Sequence, residues 1–203
     1  MVVCAQCMTF IMDYRTQSPE ILFFGIFVIT LSFELARIMI PLRQAFLISP
    51  GHLIMASRVL LFGRYLGLFS LLAASVYAAG LDIQKQQNIF LVISMAALIV
   101  AIRVPIDSLT WDSTLKMLNG YNHMFLIVER VILTITILTF FISAYIRGSR
   151  AYVFIGIGTL LMFLGRNILL NSDTWVTPIP GVLILSAGTW VVCARLHREY
   201  LWF

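Results

Sequence analysis

Residues 21–40 read ILFFGIFVITLSFELARIMI, with Glu34 and Arg37 as the only charges. A helix that crosses the hydrocarbon core of a bilayer needs ~20 predominantly apolar residues, and this run supplies them. It begins abruptly after Ser18-Pro19-Glu20, where Ser18 can cap a helix and Pro19 fits its first turn. Pro41 ends or kinks it. The run is too long for the hydrophobic core of a signal peptide and lacks a small-x-small cleavage site before the next polar stretch.

The same pattern recurs downstream. Ser49-Pro50-Gly51 is a breaker, and a second apolar segment covers about 52–79. A third, 89–102, is short unless Gln86 and Gln87 extend it, and Pro105 closes it. Further spans are expected over about 124–145, 151–170 and 181–196. Arg147-Gly148-Ser149-Arg150 reads as a tight turn, and Asn171-Ser172-Asp173 with Pro178-Ile179-Pro180-Gly181 as a loop. Residues 105–122 form the longest non-spanning stretch, read as a surface loop with a short interfacial helix around Trp111. None of the runs alternates with a period of two, so barrel strands are excluded, and helices satisfy their own backbone in lipid.

Composition agrees. Hydrophobic residues make up 61% of the 203 and charged residues 11%, against about 25% charged in a soluble domain. The fold class is therefore an all-α polytopic membrane helical bundle of about six transmembrane helices. Residues 1–20 are read as a polar leader, 21–196 as the bundle and 197–203 as a tail. The net charge of +5 does not point to nucleic acid, because the basic residues sit at the ends of apolar runs and no basic stretch is interleaved with aromatics. The partners implied are the lipid bilayer and other membrane or membrane-associated proteins, and the expected location is the plasma membrane of a bacterium, with multiple crossings.

Orientation is nearly balanced on the positive-inside rule. Arg15, Lys85, Arg147, Arg150, Arg195 and Arg198 fall on the side of the two tails, and Arg37, Arg43, Arg58, Arg103 and Lys116 on the other. The pairs Arg147/Arg150 and Arg195/Arg198, set tightly against span ends, tilt the reading toward cytoplasmic tails.

Charges within spans are costly and mark candidate sites, although a long arginine near a span end can instead snorkel to the headgroups. Glu34, Arg64, Glu129 and Arg166 are selected as an interior polar network able to hold an anionic or zwitterionic ligand. Glu34 and Arg37 can alternatively pair on one helix face. Gly63, Gly67, Ser70, Ala74 and Ala78 line one face of the second span at spacings of three and four, a surface on which another helix can pack closely. Gly156, Gly158 and Gly165 offer the same in the fifth span.

No catalytic constellation or metal set emerges. Cys4 and Cys7 form a C-x-x-C without the second pair a zinc site needs, within a leader that Met8 and Met12 as alternative starts would remove. Cys193 reads as a small buried residue. His52, His123 and His197 lie near different span ends and do not form a haem pair, so no cofactor is expected. Hydrolase, zincin and phosphate-loop motifs are absent. The functional expectation is a non-catalytic module that binds or senses a small molecule or lipid and works with partner proteins; the alternative is a substrate-binding or permease component of a transporter. In size and helix count alone the chain is similar to the small substrate-binding subunits of vitamin importers and to helical sensor modules of bacterial signalling proteins.

Overall fold

The computed structural model describes residues 18–31, 33, 50–80, 86–103, 109–111, 117–119, 122–170 and 178–200. Its helices are α1 (Pro19–Leu31), α2 (Pro50–Ala78), α3 (Gln86–Arg103), α4 (Asn122–Arg147), α5 (Arg150–Leu170) and α6 (Pro178–Tyr200). Four contain stretches long and apolar enough to cross a membrane: Ile54–Ala78, Ile127–Arg147, Arg150–Leu169 and Ile179–Leu196. Pro19–Leu31 and Asn88–Arg103 are shorter apolar helices. The described chain is thus built on apolar helices, as a multi-pass membrane protein.

The helix starts follow local chemistry. Pro19, Pro50 and Pro178 each occupy a first helical position, where the missing N–H removes no bond. Pro50-Gly51, expected only to break the chain, therefore opens α2. Gln86 and Gln87 do extend α3. Gly148 turns α4 into α5 with a φ of 63°, and the Ser149 hydroxyl caps α5 by accepting from the Ala151 N–H at 3.3 Å. α6 runs on to Tyr200, past the expected boundary at 196.

Two expectations are corrected. Pro178-Ile179-Pro180-Gly181, read as a loop, is the opening of α6. The loop before α4 carries an antiparallel pair, β1 (Leu109–Trp111) and β2 (Met117–Asn119), in place of an interfacial helix at Trp111. Thr110 and Trp111 are strand formers, and a three-residue run offers no turn of helix. Glu34, Arg37, Cys4, Cys7 and the latter half of the expected first span lie outside the described residues.

The chain divides into two compact units. The first comprises Met1–Gly25, Leu72–Ile83 and Leu133–Phe203. Its α5 and α6 pack in antiparallel contact at two glycine pairs. A Cβ on Gly188 would stand 2.8 Å from the Gly158 carbonyl oxygen, and one on Gly165 would stand 2.8 Å from that of Gly181. The pairs are seven residues apart on each helix, two turns, so the same faces meet twice. Thr159 and Thr189 are buried beside these glycines and return their hydroxyls to the carbonyls of Ile155 and Leu185, both at 2.8 Å. Cys193 is half-buried on α6 and disulfide-bonded, where the apolar run suggested a small buried residue.

The second unit comprises Ile26–Leu71 and Gln84–Ile132. Here α1 lies against α2 where the glycines allow it. A Cβ on Gly67 would stand 2.5 Å from Thr30 Oγ1, and one on Gly63 would stand 2.6 Å from the Phe33 ring. Arg58 of α2 donates to the carbonyl of Ala101 and, at 3.0 Å, to that of Ile102. Its cation thereby serves the unsatisfied carbonyls and negative end of α3. A basic residue that sequence places only in the orientation count is a cap supplied by another helix.

Candidate functional site

The polar site that the described residues assemble lies in the first unit, at the ends of four helices. Glu20 is in the first turn of α1 and Tyr152 in the first turn of α5. Tyr77 is next to last in α2, and Arg147 is the last residue of α4. Two helices thus begin here and two end here. In a membrane protein that level is the boundary between apolar spans and polar connections.

Arg147 organises the site. Its Nη1 donates to the Tyr152 hydroxyl oxygen at 2.6 Å, and its Nη2 to Glu20 Oε1 at 3.3 Å and the Tyr77 carbonyl at 3.2 Å. The Tyr152 hydroxyl in turn donates to Glu20 Oε2 at 3.4 Å. The Arg147 guanidinium carbon also lies 5.1 Å from the centre of the Tyr152 ring, within cation–π range. The Glu20 side chain is only 8% exposed and that of Arg147 35%. The carboxylate is sealed behind its cation.

The local sequence explains the placement. Glu20 follows Pro19 at the positive end of α1, which favours an acid. Arg147 ends α4, where a cation is favoured. Phe23, one turn from Glu20, stacks on Tyr77 at 5.6 Å with 16° between the rings. Tyr77 therefore holds α1 through its ring and Arg147 through its carbonyl.

Of the residues selected from sequence, Glu129 and Arg166 are buried, at 8% and 6% exposure, and Arg64 is half-buried. Glu129 and Arg64 belong to the second unit and Arg166 to the first. Gly63, Gly67, Ser70, Ala74 and Ala78 are all buried on α2. Ser70 bonds back to the Leu66 and Gly67 carbonyls.

Sequence reasoning missed Glu20, Tyr152 and the role of Arg147. In sequence Glu20 falls in the polar leader and Arg147 in the turn. The available signal was charge of opposite sign at two span ends on the same side of the membrane. Among the described residues no His/Cys/Asp/Glu cluster suited to a metal is present. No protein-family model matches the chain, and no curated protein or solved structure is significantly similar to it.

Proposed function

We propose that this chain is a non-catalytic membrane module, of a bacterial plasma membrane, that binds a small anionic molecule or lipid group at Arg147 and communicates the bound state to partner proteins. The observation behind this reading is the partly open guanidinium of Arg147 tied to a buried carboxylate, a backbone carbonyl and a phenol on three other helices. A carboxylate or phosphate that reaches Arg147 competes with Glu20 for the same cation. Exchange of counter-ion loosens the first turn of α1 from the ends of α2, α4 and α5. Such a ligand has different affinities for the tied and untied states, which is the requirement for a binding event to shift a conformation. Arg166, in the same unit, is a further buried charge.

Native mass spectrometry of the detergent-purified chain tests the reading. A small anionic molecule or lipid retained by the wild-type chain and lost from Arg147→Gln supports it. Equal retention by both proteins, or a hydrolysed product accumulating during incubation, contradicts it.

A further inference from the structure

We infer that the end of the α5–α6 pair carries a separate binding site for a phosphate-bearing anionic lipid headgroup, formed by Arg150, Arg195 and Arg198. None of Glu20, Arg147 or Tyr152 takes part, so the site stands or falls independently of the function proposed above.

The glycine pairs fix the register of the two helices. Gly158 meets Gly188 and Gly165 meets Gly181. Continued toward the start of α5, that antiparallel register sets Arg150 level with Leu196, between Arg195 and Arg198 on α6. The helices remain adjacent at this level, because the Arg195 guanidinium carbon lies 4.2 Å from the centre of the Phe154 ring. Phe154 is one turn from Arg150. The register therefore brings Arg150, Arg195 and Arg198 to the same end of the helix pair. Arg150 and Arg198 are exposed and Arg195 half-buried.

The apolar surface below the arginines selects a lipid rather than a free ion. On α5, Arg150 heads an exposed stripe at helical spacing through Phe154, Ile157 and Leu164, which are 40%, 43% and 45% exposed. On α6, Arg198 heads a second stripe through Trp190 and Leu183, 69% and 63% exposed. Both stripes run into the apolar spans and both end on a guanidinium. An acyl chain that lies along them brings its phosphate to the arginines, which bind phosphate through charge-assisted hydrogen bonds. The stack on Phe154 holds the Arg195 plane in place for that contact.

Titration of the full-length detergent-solubilised chain with phosphatidylglycerol, phosphatidylcholine or inorganic phosphate, read by native mass spectrometry and thermal shift, tests this. The wild-type chain should bind phosphatidylglycerol in preference to phosphatidylcholine. The Arg150→Gln/Arg195→Gln/Arg198→Gln variant should lose roughly tenfold or more of that preference. The corresponding triple Lys variant should keep most of it, and its helical circular dichroism guards against misfolding. Undiminished phosphatidylglycerol preference in the triple Gln variant would overturn the site. Stabilisation by inorganic phosphate equal to that by phosphatidylglycerol would overturn its assignment to lipid.

Discussion

Arg147 and Glu20 lie 127 residues apart in sequence and meet at 3.3 Å, the last residue of α4 against the first turn of α1. The acid is buried and the base partly open, so the pair costs less to desolvate than one fully enclosed. It also fixes which helix ends share a level. Tyr77 and Tyr152 complete the contact from α2 and α5.

Tyr152→Phe keeps the ring beneath the guanidinium and removes only the hydroxyl. The 2.6 Å bond from Arg147 and the weaker one to Glu20 are lost together. Thermal unfolding in detergent should show a loss of about 1–2 kcal/mol, the range for a hydrogen bond to a charged group. An unchanged melting temperature would mean the hydroxyl bond contributes nothing.

The glycine pairs between α5 and α6 predict a contrast. A methyl group at Gly165 would stand 2.5 Å from the Leu185 backbone nitrogen, where no side chain can yield. Gly165→Ala should therefore destabilise by about 1–3 kcal/mol through overpacking. At Gly156 the nearest atom is the Phe140 Cβ, at 3.4 Å. Gly156→Ala should be neutral or slightly stabilising, since alanine favours a helix. Equal effects of the two substitutions would show that the close approach is not where the structure puts it.

Gly148 has a φ of 63° and open space around its Cα. Gly148→Ala should cost about 1 kcal/mol, all of it backbone strain, and Gly148→Asn less, because asparagine tolerates this region. Melting temperatures of the two variants check the order.

Removal of the borrowed cap, Arg58→Met, should speed amide exchange at the last turn of α3 and leave the middle of α2 protected. The stability loss should be about 0.3–1 kcal/mol, the usual value of a cation at a helix C-terminus. Hydrogen exchange resolved by mass spectrometry reads both regions.

The helices were legible because apolar runs of spanning length, punctuated by Pro, Gly and charge, leave few alternatives. α4 and α5 are bracketed by Arg147-Gly148-Ser149-Arg150, and their bounds match closely. The hairpin at Leu109–Trp111 was not legible, since three residues give neither period enough to show. The polar site was harder still. Glu20 is an ordinary leader residue until the fold places the end of α4 beside it. Arg147 is an ordinary positive-inside arginine until Glu20 and Tyr152 surround it. Gly181 reads as part of a loop and Gly188 as an ordinary span residue for the same reason, because their partners lie on another helix. Long-range pairing is absent from local spacing, and a single sequence carries no other record of it.

A double-mutant cycle on Glu20 and Arg147 tests the central claim most directly. Unfolding free energies in detergent would be compared for the wild-type chain, Glu20→Gln, Arg147→Gln and the double variant. Arg147→Gln takes the cation from a buried carboxylate, and because that cation is partly exposed the loss should be about 1–3 kcal/mol, below the ~3–5 of a fully buried pair. The double variant should lose clearly less than the sum of the two single losses, by about 1 kcal/mol or more. Strictly additive losses would contradict the pairing, and with it the site at the ends of the four helices.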